Sequence, residues 1–167
     1  MLQTKTVKKS GKIVNSKHVE SLLSNYKKER WVQNSKAIGK EDSLSVWYSI
    51  DELQAFVATA KQNGADGIKM YFGVYDADTA NDVKYIGRQT VALVASKTKE
   101  LETGLTIDKN IYVATDGKPE ILAFNAGRVC PPNCTGTGGG GTTDNSGFDW
   151  DNPGILIDRK EEGMIVI

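Results

Sequence analysis

A run of glycine and small polar residues near the C-terminus divides this 167-residue chain into two unequal parts. The run reads CPPNCTGTGGGGTTDNSG over residues 130–147 and contains four glycines in succession. Glycine loses the most conformational entropy on folding, and the polar side chains around it offer little apolar surface to bury. We therefore expect a tether, with a folded domain before it and a separate segment behind it.

The segment behind the tether is apolar. GILIDR (154–159) and GMIVI (163–167) predict two short strands with a polar connection. Burying one such side chain is worth about 1.5–3 kcal/mol, and a flexible chain over 135–147 spans roughly 20 Å. We expect residues 148–167 to dock on an open sheet edge of the same domain or of a partner, through Ile155, Ile157, Met164, Val166 and Ile167.

The clearest helix signal in the domain lies in VWYSIDELQAFVATAKQNG, residues 46–64. Ser49 and Glu52 have the spacing of a capping box, in which each side chain satisfies a free backbone N–H at the start of a helix. The apolar residues that follow recur at helical spacing, and Gly64 is a stop signal. Residues 67–76 then alternate between apolar and mixed positions, as a half-buried strand does. Together with a strand before the helix, they predict a β-α-β segment over 43–75.

The remaining elements complete an α+β pattern. SKHVESLLSNYKKERWVQN (16–34) has a helical stripe with Ser16 as its N-cap, and three further strands are expected at 89–96, 110–115 and 120–125. DGKP (116–119) predicts a turn between the last two strands. We predict a mainly antiparallel sheet with two helices packed on it and a glycine-rich tether to C-terminal strands.

The expected organisation has four parts: a basic arm (1–15), the α+β domain (16–129), the tether (130–147) and the C-terminal strands (148–167).

Charge and hydropathy narrow the range of partners. Lys plus Arg and Asp plus Glu each number 21, so the formal net charge is zero, and we expect no nucleic-acid partner. No apolar run reaches the length of a membrane span or of a secretory signal core. These features predict no membrane partner and a cytoplasmic location.

The two cysteines leave several alternatives open. Cys130 and Cys134 miss the redox spacing C-x-x-C by one residue, and the single histidine, His18, lies far upstream. The pair is reduced and structural, forms a disulfide, or has a redox, catalytic or metal role. We expect no cofactor and no metal, and we expect the chain to fold without these thiols.

Motifs for other chemistry are missing. The glycine run has no Walker lysine, and the acidic loop over 76–82 has neither the glycine nor the distal glutamate of an EF loop. We therefore favour a protein that acts by protein–protein interaction or self-assembly. The competing hypothesis is a thiol-dependent or metal-dependent enzyme that uses the Cys130/Cys134 segment or an acidic loop. The expected binding surface contains aromatic and basic side chains: Trp47, Lys69, Tyr71, Tyr75 and Arg88.

The stretch SVWYSIDEL…GIKMYFGVYD, with CPPNC following a strand, resembles a group of small uncharacterised proteins from Bacteroidota. The similarity covers residues 36–134. It implies a bacterial origin and no particular reaction.

Overall fold

The computed structural model describes residues 10–134 and the backbone of two short C-terminal strands, 157–160 and 163–166. The described part has an α+β architecture. None of its helices is long and apolar enough to cross a membrane. Its helices and strands, in chain order, are α1 (Ser16–Tyr26), a π-helical turn (Lys27–Trp31), α2 (Val32–Ile38), β1 (Ser45–Trp47), α3 (Ile50–Gln62), β2 (Gly67–Val74), a 3₁₀ turn (Val83–Tyr85), β3 (Gln89–Glu100), β4 (Thr106–Asn110), β5 (Tyr112–Thr115), β6 (Lys118–Ile121), β7 (Ala123–Phe124), β8 (Arg128–Cys130), β9 (Ile157–Lys160) and β10 (Gly163–Val166).

Strand β3 is the centre of the main sheet. It pairs with β2 along one side, and with β4 and β7 at successive positions along the other. Every strand pair in the described part of the chain is antiparallel. The predicted β-α-β succession is present as β1, α3 and β2, but β1 pairs with β8 in a separate two-stranded sheet.

Helix α3 begins as the sequence predicts. The Ser49 side chain accepts a hydrogen bond from the backbone of Glu52, and the Glu52 carboxylate accepts one from the Ser49 backbone. The Ser49 hydroxyl also donates to the Glu52 carboxylate, and this bond, together with the one from the Ser49 N–H, favours the ionised form and lowers the pKa of Glu52. Phe56 and Ala60, on the buried face of the helix, pack against Leu93 and Ala95 of β3. These four residues form the main core.

A second, smaller core lies beside the β1–β8 pair. Tyr75, Tyr85 and Val129 are buried there, with the Tyr75 and Tyr85 rings stacked 5.9 Å apart. At the neighbouring Gly127, a Cβ atom would lie 2.6 Å from both the Tyr48 ring and a Val46 methyl group. The close approach of β8 to β1 therefore requires glycine at this position.

The first helical segment differs from its prediction in two ways. Its N-cap is Asn15, whose side chain accepts from the backbone of His18, and not Ser16. It runs from Ser16 to Ile38 with a π-helical turn in the middle, where the N–H of Val32 bonds to the carbonyl of Lys27. In a regular α-helix, two side chains five residues apart point in directions that differ by about 140°. The wider π-turn brings residues five apart, Tyr26 and Trp31, towards one side.

The π-turn places these two side chains beside the buried residue Asp42 and its neighbour in the fold, Gln89. The Trp31 indole donates to the Asp42 carbonyl over 2.8 Å, and the Tyr26 hydroxyl donates to the Gln89 side chain over 2.9 Å. The Asp42 carboxylate itself accepts from the backbone N–H of Gln89 and of Ser43, and from the Asn34 amide. Burial and the charge of Asp42 raise the pKa of Tyr26. Asp42 thus joins the helical segment to the first residue of β3.

The connection between β5 and β6 is a tight hairpin at the predicted turn. Thr115 pairs with Lys118, and the two residues between them have positive φ angles, 48° for Asp116 and 77° for Gly117. Asp-Gly is a favoured pair for such a turn because both positions need this left-handed conformation. Pro119 follows in β6 opposite Ala114.

At the C-terminus, β9 and β10 pair with each other, with Ile157 opposite Val166 and Lys160 opposite Gly163. This confirms two strands near the predicted positions. The expected docking side chains, Ile155, Ile157, Met164, Val166 and Ile167, lie outside the side chains that the structure describes. Their docking stays a prediction, as does most of the tether.

Replacing Asp42 with Ala tests the buried junction. The change leaves the N–H groups of Ser43 and Gln89 and the Asn34 amide without their acceptor. Each unsatisfied buried group costs about 1–3 kcal/mol, so we expect the free energy of unfolding to fall by about 3 kcal/mol or more. Urea denaturation measures this. Asp78→Ala, at an exposed position, is the control; similar small losses for both variants would contradict this role of Asp42.

Candidate functional site

The side chains expected to form one binding surface lie in different surroundings. Trp47 is 53% exposed on β1, where the Arg128 guanidinium stacks 4.3 Å from its ring centre. Tyr75 and Arg88 are buried. Lys69 and Tyr71 lie together on β2. The structure therefore corrects the expectation of a single surface. Two of the five side chains are buried, and the other three lie on two different strands, β1 and β2.

Tyr75, the residue after the end of β2, is buried against Tyr85 and Val129. The Tyr75 ring enters the second core, and its hydroxyl donates to the Asn125 side chain over 2.8 Å. Asn125 in turn donates to the Val91 carbonyl of β3. Tyr75 is thus part of the packing that holds β7, β8 and β3 together.

Arg88 is buried next to the Asp42 junction. Its Nε donates to the Lys84 carbonyl over 2.9 Å, while its buried Nη1 has no hydrogen-bond partner. Burial lowers the pKa of Arg88, and the charges of Asp42 and Glu41 oppose that shift. The guanidinium is therefore an internal counter-charge for Asp42 and cannot serve as an exposed contact.

Lys69 and Tyr71 lean across the sheet and away from its edge. The Tyr71 hydroxyl lies 3.2 Å from the Asn110 side-chain oxygen and donates to it. The Lys69 ammonium donates to the same oxygen and to the Asp108 carbonyl of β4. Because β4 lies on the far side of β3, these contacts direct the only charge of β2 inward.

The opposite face of β2 carries a row of exposed apolar side chains. Met70, Phe72 and Val74 are 67%, 81% and 66% exposed. They share a face with Ile68, which packs against the main core beneath α3. Helix α3 therefore covers the start of this face and leaves its second half open. We call Met70, Phe72 and Val74 the β2 edge surface.

The backbone groups of the same three residues point away from β3 and have no hydrogen-bond partner among the described residues. Ala95 donates to the Leu122 carbonyl and accepts from the Ile111 N–H, so its backbone groups point away from β2. In a strand, the backbone N–H and C=O groups of successive residues point to opposite sides. The neighbours of Ala95, which are Val94 and Ser96, therefore bond to their β2 partners Lys69 and Gly67. At the other end, Tyr75 donates to the Arg88 carbonyl. The odd-numbered residues of β2 thus face β3, and the even-numbered ones face outward.

Natural edge strands are commonly protected by charges, proline or bulges. The β2–β3 register is continuous from Gly67 opposite Ser96 to Val74 opposite Gln89, without a bulge. The strand has no proline, and its one lysine is held over the sheet. Among the described residues, β2 has β3 as its only strand partner. Within the described part of the chain, nothing covers the outer edge of β2, which presents a row of donors, acceptors and apolar side chains.

The two cysteines form a disulfide, one of the alternatives left open by the sequence. The loop that it closes is attached to the second core: the Asn133 amide donates to the Tyr85 hydroxyl over 2.8 Å, and the Cys130 carbonyl accepts from Leu44. Residues 130–134, which were expected to belong to the tether, are therefore part of the domain. Both thiols are oxidised, so neither is a free nucleophile in this state.

The described residues contain no cluster of three or more His, Cys, Asp or Glu side chains that could hold a metal ion. The chain matches no known protein family, no curated protein and no solved structure. The resemblance to Bacteroidota proteins accordingly stays an expectation.

Replacing both cysteines with serine tests the disulfide. The loop is short, so its closure is worth about 2 kcal/mol. We expect a folded protein whose melting temperature falls by about 4–8 °C in oxidising buffer. The unchanged protein in the same buffer is the reference, and its intact mass, two hydrogens below that of the reduced chain, reports the disulfide. An unchanged melting temperature would show that the disulfide does not contribute to stability.

Proposed function

We propose that this protein acts by protein–protein interaction, and that the β2 edge surface receives an extended segment as an additional strand. The observation that carries the proposal is the coincidence of open backbone groups and exposed apolar side chains at Met70, Phe72 and Val74. Strand addition uses both features, since main-chain hydrogen bonds give affinity and alternate side chains give specificity.

The free energies involved favour strand addition over binding through the side chains alone. Complete burial of one apolar side chain is worth about 1.5–3 kcal/mol, and these three are already partly buried. Association costs at least about 4 kcal/mol in lost freedom of motion. Three side chains offset only the lower end of that cost. New backbone hydrogen bonds, each worth about 0.5–1.5 kcal/mol, supply the difference.

The disulfide bears on where the protein acts. Disulfides persist in oxidising compartments and are rare in a reducing cytoplasm. The Cys130–Cys134 bond therefore argues against the cytoplasmic location expected from the sequence, and that location is not part of the proposal.

Selection from a library of short random peptides, with the full-length protein as bait, tests the binding function. We expect enriched peptides with alternating apolar residues, because only one face of an added strand would contact the β2 edge surface. Phe72→Lys should weaken their binding at least about tenfold, since it places a charge within the apolar contact. Fluorescence anisotropy with labelled peptides measures the affinities.

Val83→Lys is the matched control for this change, because Val83 is 79% exposed and lies outside the sheet. It should bind the selected peptides as the unchanged protein does. Peptides that bind both variants equally well would show that the β2 edge is not the binding site.

A further inference from the structure

We infer that the segment received by the β2 edge surface is the β2 strand of a second copy of this chain, paired antiparallel about a two-fold axis. This inference rests on the proposed function and adds the identity of the partner. It follows from the sequence of β2 together with the direction of its backbone groups.

The outward backbone groups restrict the register of such a pair. Only even-numbered residues of β2 have free N–H and C=O groups on the outer edge, so even residues must lie opposite even residues. With Phe72 opposite its own copy, Met70 lies opposite Val74, and Val74 opposite Met70. All exposed apolar side chains of both edges then meet in one cluster. Aromatic and aliphatic cross-strand pairs of this kind stabilise antiparallel sheets.

The other face of the sheet leaves room for the pair in the same register. Tyr71 lies opposite Gly73 of the second copy, a position without a side chain. The Tyr71 side chain leans towards Asn110 of β4, so it does not obstruct the approach of the second strand. The two-fold axis forms this arrangement twice.

Charge does not oppose the pair. The chain has no net charge, and Lys69, the one charged residue within β2, would lie opposite Tyr75. No like charges therefore face each other across the new ladder. The interface is isologous and uses both β2 edges, so these edges give a closed dimer and not a growing fibre.

Opposite charges at position 72 test the register directly, because this residue faces its own copy only in the proposed arrangement. Phe72→Lys and Phe72→Glu should each place like charges on the axis and weaken dimerisation at least about tenfold. Mixing the two variants should restore dimers that contain one chain of each. Sedimentation velocity from about 1 to about 100 µM measures dimerisation, and native mass spectrometry identifies mixed dimers. Phe72 is 81% exposed, so at dilutions where the unchanged protein is monomeric both variants should have its melting temperature.

Two further full-length variants separate the possible occupants. Val83→Lys should dimerise normally. Val166→Lys, in β10, should also dimerise normally; loss of the dimer in this variant would identify the C-terminal segment as the occupant and overturn the inference. An unchanged protein that stays monomeric throughout the concentration range, or a mixture that forms no mixed dimers, would also overturn it. Neither result would change the binding of peptides to the β2 edge surface. The peptide experiment therefore tests the proposed function independently of the dimer.

Discussion

The hydrogen-bond ladder of β3 is the constraint on which the rest of the structure depends. Its twelve residues pair with β2 on one side and with β4 and β7 on the other. Its first residue, Gln89, also receives the helical segment, through its backbone bond to Asp42 and its side-chain bond to Tyr26. The core beneath α3 is centred on Leu93 and Ala95 of the same strand. β3 therefore has strand partners within the domain on both sides: β2 along residues 89–96, and β7 and β4 along 93–94 and 96–100.

The open edge follows from this arrangement. Because β2 bonds to β3 through its odd-numbered residues, its even-numbered residues present their backbone groups outward. Helix α3 packs over β3 and reaches only Ile68 of the same face of β2. The remaining apolar residues of this face, Met70, Phe72 and Val74, combine exposed side chains with exposed backbone groups. The shape of the core thus determines where the proposed interaction takes place.

The sequence predicted those elements whose signals are local. The capping box of Ser49 and Glu52, the alternation along β2 and the Asp116-Gly117 turn each depend on residues within a few positions of one another. The exposure of β2 depends on which strand lies beside it. Alternation of apolar residues identifies a face that can be buried, but it does not show whether a helix covers that face. For this reason Tyr75 was expected at the surface although it is buried, and the alternation did not predict that Met70, Phe72 and Val74 are exposed.

The segment Cys130–Cys134 shows the same limitation. Its proline and cysteine residues, followed by glycines, are typical of a linker. Its attachment depends on Tyr85, which lies 48 positions from Asn133, and on the β1–β8 pair. Likewise, nothing near Asp42 in the sequence indicates that Gln89 will bond to its carboxylate. Buried polar contacts between distant residues are set by the tertiary fold, and they account for most of the differences from the sequence-based expectations.

Residue-resolved hydrogen exchange along β2 is the most direct test of the open binding edge. In dilute protein, the amides of Met70, Phe72 and Val74 should exchange rapidly, while those of Tyr71 and Gly73, bonded to β3, should be protected. At high concentration the even-numbered amides should slow at least about tenfold as a second strand covers them. Even-numbered amides that are protected in the most dilute sample, or that stay unprotected in the most concentrated one, would contradict the account.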